Sequence, residues 1–169
     1  LLAVDASENV GAEALPKALS HLEQQSHPAA RYEVVIVDWS STDRTPEVLT
    51  RHAAGSPVRI KTLQSNAATL GAARNLAVQQ AQGRWILFLD GDLLASPRLV
   101  EHHIRLQSQH GGFCMVVGKV EQHPQIQRKT MLRHYGNFAT TPIHNQPLRF
   151  VDWRCWNLSA PRSALLEVR

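Results

Sequence analysis

The chain has 169 residues, 43% apolar and 19% charged, values typical of one globular domain that can bury a core. Its net charge of +4 is spread along the chain without a dense basic run, so we predict no nucleic-acid partner. No run of about 18 apolar residues occurs, so we predict no transmembrane segment in this chain.

The first half of the chain alternates between strand and helix patterns. Short apolar runs predict buried strands at residues 1–4, 33–38, 58–63 and 85–90. Four helices are predicted between and after them: one of about four turns around Leu15 to Leu22, one from Thr45-Pro46 to about Gly55, one over 69–82 stopped by Gly83, and one capped by Ser96-Pro97 that runs to His110. Such strands alternating with helices predict an open α/β domain, with a mostly parallel sheet flanked by helices.

The second half is less regular. We predict a strand over 113–120, a broken helix over 125–134 followed by a loop, a strand over 150–158 and a final helix that Pro161 opens. No repeat or linker divides the chain. A single domain is therefore predicted for residues 1–169, and its abrupt start and end at Leu1 and Arg169 predict a piece of a longer protein.

Carboxylates follow two of the predicted strands. Three of the six aspartates, Asp38, Asp90 and Asp92, stand at or just beyond strand carboxyl ends. In an open α/β sheet this edge holds the ligand crevice. If the first strand lies between the other two, the three carboxylates face one cleft.

Asp90-Gly91-Asp92 has two interpretations. An aspartate often starts a turn or caps a helix, and this explains Asp43 well. Two acids separated by glycine repel each other unless a cation joins them. A divalent cation with oxygen ligands that also holds a diphosphate is the natural partner.

Arg74 lies inside the apolar stripe predicted for the helix over 69–82. Its guanidinium must reach solvent or find an anion. It could hold a phosphate or pair with Asp38 or Asp90, and a purely structural salt bridge is the alternative.

Four segments carry a resemblance over nearly the whole chain: residues 33–45 (EVVIVDWSSTDRT), Asn66 with 70–75 (LGAARN), 83–92 (GRWILFLDGD) and 157–162 (NLSAPR). In this order and spacing they resemble the family 2 glycosyltransferases, which have the Rossmann-like GT-A fold. The resemblance implies a nucleotide-sugar-binding half over 1–93 and an acceptor-side half over 94–169. It also implies that the domain is incomplete at its C-terminal end.

The resemblance implies roles for particular residues. Asp38 would hydrogen-bond the donor's base, most simply uracil, Arg74 would lie near the nucleotide, and Asp90 would lie near ribose and metal. Ser40 and Gly91 would line the same nucleotide-sugar site. Asp92, with Asp90, would bind Mn²⁺ or Mg²⁺. The acceptor side would include Asp152, Trp153 and Asn157.

The implied reaction is the metal-dependent, inverting transfer of a sugar from a UDP-sugar to a hydroxyl of a carbohydrate or lipid-linked acceptor. The expected location is the cytoplasm, with membrane association left open. The chain also departs from the family. Trp39 stands where a second acid is usual, and its indole could stack on the donor or the acceptor or simply pack. Residues 4–8 lack the usual proline-containing motif. The acidic motif that holds the catalytic base would follow residues 157–159, beyond Arg169, so no catalytic residue is assigned.

Two other functions remain open. A sugar nucleotidyltransferase would carry a glycine-rich loop after the first strand, and residues 5–11 lack one. A non-catalytic module that binds nucleotide or glycan fits the unusual Trp39 and the missing base. Among other residues, His102 and His103 are predicted at the surface or its boundary and His123 in a loop, and Cys114 and Cys155 as buried thiols of a reducing compartment.

Overall fold

The described strands form one mixed β-sheet. The computed structural model describes residues 14–121 and 156–167 in full and residues 2–6 as backbone alone. Its strands in these ranges are β1 (Leu2–Ala6), β2 (Glu33–Trp39), β3 (Arg59–Ser65), β4 (Trp85–Asp90), β5 (Val116–Val117) and β6 (Asn157–Pro161). Their order across the sheet is β3-β2-β1-β4-β6-β5.

Four neighbouring strands are parallel. β1 pairs with β2 on one side and with β4 on the other, and β2 pairs with β3. β6 runs antiparallel to β4 and to β5. The predicted open, mostly parallel sheet is therefore confirmed, and so is the position of the first strand between the strands that end in Asp38 and Asp90.

Helices cover both faces of this sheet. They are α1 (Ala14–Glu23), α2 (Thr45–Gly55), α3 (Leu70–Gln80), α4 (Leu99–Gln109) and α5 (Arg162–Glu167), with a 3₁₀ turn at Ala29–Arg31. Alternate residues of β2 face opposite layers, because successive strand side chains point to opposite sides. Val34 and Ile36 pack with α1, α2 and α4. Val35 and Val37 pack with α3.

Several predicted helix ends were wrong. α3 ends at Gln80, and Gly83 lacks the left-handed backbone of a glycine cap; among the described glycines only Gly111 and Gly112, which follow α4, have positive φ. α4 begins at Leu99 without a side-chain cap from its own N-terminal segment, so the predicted Ser96-Pro97 cap is not formed. α1 has 10 residues, about three turns. None of the described helices is long and apolar enough to cross a membrane.

Strand ends differ from prediction because pairing partners decide them. β1 continues to Ala6 because β2 remains paired with it there, whereas its pairing with β4 ends at Asp5. β5 has only two residues, where eight were predicted, and pairs only with β6. Pro161 closes β6 opposite Trp85, and the helix starts one residue later. A proline is tolerated at a strand end, where its missing N–H is not needed. The predicted helix at 125–134 and the strand portion at 150–155 lie outside the described residues.

Candidate functional site

The carboxyl ends of β2 and β4 hold the two predicted strand-end carboxylates on either side of β1. Asp38 is paired in register with Ala6, and Asp90 with Asp5. Two strand spacings separate them, roughly 10 Å. Asp5 lies between them in the backbone register and was not predicted as a site residue. The signal was present, because a carboxylate follows directly on the first apolar run.

Asp38 is a buried carboxylate that the loop after β2 partly covers. Its side chain is 5% exposed, and Oδ1 accepts a hydrogen bond from the backbone N–H of Ser41 at 3.3 Å. Within the described residues Oδ2 has no hydrogen-bond partner. A buried acceptor with one oxygen left over can receive an N–H from a ligand at this edge.

Trp39 follows Asp38 and occupies the position where the family that this chain resembles usually has an acid. Its indole Nε1 donates to the carbonyl of Ala67 at 2.7 Å, and the ring packs, partly buried, against the cluster that contains Val37 and Ala73. The structure thus favours the packing interpretation of Trp39 over stacking on a ligand.

Ser40 adopts a backbone conformation that few side chains tolerate. Its φ is 60°, the only positive value among the described non-glycine residues. We expect Ser40→Val to lower the free energy of unfolding by about 1–2 kcal/mol, because a β-branched residue is strained in this region. Ser40→Gly should leave stability equal or higher, since glycine adopts this φ freely. Urea denaturation measures both variants, and equal stability of the Val and Gly variants would contradict the strain.

Arg74 and Asp90 form an ion pair between α3 and the end of β4. Arg74 Nη2 lies 3.1 Å from Asp90 Oδ1, and the two side chains are 23% and 29% exposed. Asp90 was one of the anions predicted for this arginine. The pair places a fixed positive charge beside the carboxylates of the cleft, where an anionic ligand would benefit from it.

Asp92 differs from its neighbours in exposure. Gly91 is buried, whereas Asp92 is exposed and makes no hydrogen bond or ion pair to the described residues. No group of three or more His, Cys, Asp or Glu residues in the described ranges could hold a metal by itself. Mg²⁺ commonly takes one or two carboxylates together with substrate phosphates and water. The residues therefore fit a cation shared with a diphosphate and do not form an all-protein site.

The predicted acceptor residues are only partly described. Asp152 and Trp153 lie outside the described residues, as do His123 and Cys155. Asn157, the first residue of β6, is 7% exposed and pairs in register with Leu89 near the cleft. Its Nδ2 donates to the carbonyl of Lys119 at 3.2 Å, so this amide is already used within the fold.

A buried polar network extends from Asn157 away from the cleft. His103 is 5% exposed, with Nε2 2.9 Å from Asn157 Oδ1 and Nδ1 2.8 Å from Ser159 Oγ. Because an amide oxygen only accepts, Nε2 carries the proton and Nδ1 accepts from the serine hydroxyl. Gln107 donates to the same hydroxyl at 3.0 Å and completes the chain of bonds. Burial lowers the pKa of His103.

The prediction of a surface or boundary position is wrong for His103, although His102 is exposed. Val100, His103 and Gln107 share the face of α4 that packs inward. Polar residues usually mark the solvent face of an amphipathic helix, and for this reason the sequence pattern predicts His103 at the surface. Cys114 is half-buried rather than buried; its thiol donates to Gln107 Oε1 at 3.5 Å, and burial raises its pKa.

A cavity of about 280 Å³ lies at the opposite end of β4 from the cleft. The residues that line it include Arg84, Trp85, Ile104 and His103. Since Trp85 begins β4 and Asp90 ends it, this cavity is separate from the carboxylates.

Comparison with known proteins gives consistent results. The sequence profile described as glycosyl transferase family 2 matches residues 7–160, well over half of the chain. Poly(ribitol-phosphate) beta-N-acetylglucosaminyltransferase TarS of Staphylococcus aureus is 33% identical over 78 residues, which are 46% of this chain and 14% of TarS.

Solved structures share the fold. Residues 1–349 of S. aureus TarS in complex with UDP superpose with a TM-score of 0.72 at 19% identity, covering 98% of this chain and 47% of that one. Mannosyltransferase PcManGT from Pyrobaculum calidifontis, in complex with GDP-Man and Mn²⁺, superposes with a TM-score of 0.72 at 18% identity, covering 99% of this chain and 45% of that one. The GT-A fold is thus confirmed, and the chain spans less than half the length of each of these proteins.

Proposed function

Because the chain belongs to glycosyl transferase family 2, we propose that it is the donor-binding part of a glycosyltransferase that uses a UDP-sugar. The observation that carries the proposal is the convergence of Asp38, the Arg74–Asp90 pair and Asp92 at one edge of the sheet. This is the edge where open α/β sheets bind their ligands.

The base and ribose of the donor belong above the carboxyl ends of β2, β1 and β4. The carboxylate of Asp38 accepts the N3–H of uracil, which is a donor that a lone carboxylate oxygen can recognise. The ends of β2 and β4 are roughly 10 Å apart. A nucleoside whose base lies at Asp38 can therefore extend along this edge and place its diphosphate near the end of β4. Ser40 and Gly91 line this path. TarS, part of which is 33% identical to this chain, has been solved with UDP bound, which supports uracil as the base.

The diphosphate belongs beside Arg74, Asp90 and Asp92. Arg74 holds Asp90 in place through their ion pair and contributes positive charge where the phosphates lie. Asp92, with Asp90 beside it, would hold Mg²⁺ or Mn²⁺. When bound, the cation neutralises the negative charge of the departing diphosphate. PcManGT, which was solved with GDP-Man and Mn²⁺, supports the choice of cation.

Transfer requires an acceptor hydroxyl that loses its proton to a base as its oxygen bonds to the anomeric carbon and displaces UDP with inversion. We place the acceptor, a carbohydrate or lipid-linked hydroxyl, on the side of residues 94–169, near Asp152, Trp153 and Asn157. We place donor binding in residues 1–93. No residue of this chain is assigned as the base, and the cytoplasmic location stays a prediction.

Calorimetric titration of the chain with UDP, with and without Mn²⁺, tests the proposal. We expect UDP to bind in both cases and about 100-fold more tightly with the metal, because the cation joins the phosphates to Asp92. GDP is the matched control ligand and should bind more weakly, since guanine offers a different hydrogen-bonding edge. Affinity that does not depend on Mn²⁺ would contradict the metal site, and absence of UDP binding to the folded chain would contradict the donor site.

A further inference from the structure

The loop that carries Asp92 is tied to the end of α1. This loop, residues 91–98, joins β4 to α4. Three consecutive carbonyls of the loop accept hydrogen bonds from one short segment: Ala95 from His21 Nδ1 at 3.0 Å, Ser96 from Gln25 Nε2 at 2.8 Å and Pro97 from the Ser26 backbone N–H at 2.7 Å. We call these three donors, on His21, Gln25 and Ser26, the α1 clamp.

The Gln25 side chain also contacts the backbone at the start of α4. Its Oε1 accepts the backbone N–H of Val100 at 3.1 Å, in the first turn of α4. The N-terminal residue before this helix, Arg98, supplies no side-chain cap. One glutamine side chain therefore fixes both the loop after Asp92 and the start of the helix that follows it.

The helix that leads into the clamp, α1, is packed firmly into the core. The apolar side of α1, including Leu15, Leu19 and Leu22, is at most 2% exposed within the core. Ala95 is buried in the same core cluster. At its other end the loop is closed by a hydrogen bond from Leu93 N–H to the carbonyl of Asp90 at 3.2 Å. The backbone of Asp92 is thus bounded on both sides, while its carboxylate is exposed.

We propose that Gln25 is a positioning residue for Asp92: through the clamp it holds the loop in the conformation in which the carboxylate meets the cation and diphosphate of the donor. This inference rests on the proposed function. Residues that orient a metal ligand through hydrogen bonds commonly affect metal affinity almost as strongly as the ligand itself.

The test compares Gln25→Ala with Gln24→Ala. Gln24 is the exposed neighbour, and its side chain makes no hydrogen bond to the described residues. With Mn²⁺ present, we expect Gln25→Ala to weaken UDP binding about tenfold and Gln24→Ala to leave it unchanged. Without metal, both variants should bind UDP as the wild type does, because Asp38 lies on another strand.

Gln25→Glu separates positioning from stability. A glutamate still accepts the Val100 N–H but cannot donate to the Ser96 carbonyl. It also loses the hydrogen bond from Gln25 Nε2 to the His21 carbonyl at 2.9 Å. The Glu variant should therefore lose affinity for UDP with Mn²⁺ and keep its affinity without metal, a pattern that a loss of stability alone would not give. Hydrogen exchange gives a readout without ligand, since the Leu93 amide, which donates to the Asp90 carbonyl, should exchange faster in both Gln25 variants.

The outcomes distinguish the two proposals. Mn²⁺-dependent UDP binding that is the same in wild type, Gln25→Ala and Gln25→Glu would overturn the role of Gln25 and leave the proposed function intact. Unchanged exchange of the Leu93 amide would overturn it as well. Wild-type UDP binding that ignores Mn²⁺ would overturn the metal assignment of Asp92, and the positioning role with it.

Discussion

Asp92→Asn is expected to weaken UDP binding in the presence of Mn²⁺ by about 100-fold and to leave the metal-independent affinity unchanged. Asparagine keeps the size of the side chain and one oxygen but removes the negative charge that a divalent cation requires. Because Asp92 is exposed and makes no hydrogen bond to the described residues, this loss should come without a change in stability.

Titration of UDP at fixed Mn²⁺ measures the effect. The matched control is Glu47→Gln, which removes another exposed negative charge, from α2; among the described residues Glu47 pairs with Arg44 at the surface. The control should bind UDP as the wild type does. If Asp92→Asn also keeps its Mn²⁺-dependent affinity, the cation is not held by Asp92.

His103→Leu is expected to lower the free energy of unfolding by about 3 kcal/mol. Leucine fills similar space but leaves the buried Asn157 Oδ1 and the Ser159 hydroxyl proton without a partner. His102→Leu is the matched control on the same helix, and we expect a change within about 0.5 kcal/mol because His102 is exposed. Urea denaturation at pH 7.5 gives both values, and equal values would contradict the buried network.

The same histidine predicts how stability depends on pH. Burial holds the pKa of His103 below its usual 6.5, so the folded chain binds fewer protons than the unfolded chain just below that pH. The stabilising contribution is therefore complete above pH 6.5 and is lost as pH falls toward the lowered pKa. We expect the wild type to lose stability from pH 6.5 to 5, and His103→Leu to lose less. Hydrogen bonds from Arg98 and Ser26 lower the pKa of Glu101 to about 2, so its stabilising contribution is lost only as pH falls below its usual 4.5, outside this pH range.

Much of the fold follows from patterns local in sequence. The runs that became β2 and β4 are almost wholly apolar, and only a strand buried on both faces needs such a run. Their closing aspartates then fall at one edge for any parallel arrangement. The ion pair of Arg74 with Asp90 could be predicted as one alternative, because a guanidinium within an apolar stripe must reach solvent or find an anion.

The rest depends on contacts between distant segments. His103 meets Asn157 across 54 residues, and Gln25 meets Val100 across 75. A polar residue on a helix looks the same in sequence whether it faces solvent or a buried partner. The end of β1 and the short β5 were likewise set by neighbours in the sheet. The roles of the cleft residues in donor binding stay predictions.

The antiparallel pairing of β5 with β6 has a consequence for how such proteins diversify. Gly118 N–H donates to the Asn157 carbonyl at 2.7 Å, so the chain leaves β5 and rejoins β6 at adjacent points on the carboxyl edge. Segments of different length can be exchanged between two such anchors at small entropic cost, without shifting the register of the sheet. The stretch between residues 121 and 156 can therefore be exchanged for one of another length or sequence while the sheet edge with Asp38 and Asp90 is inherited intact.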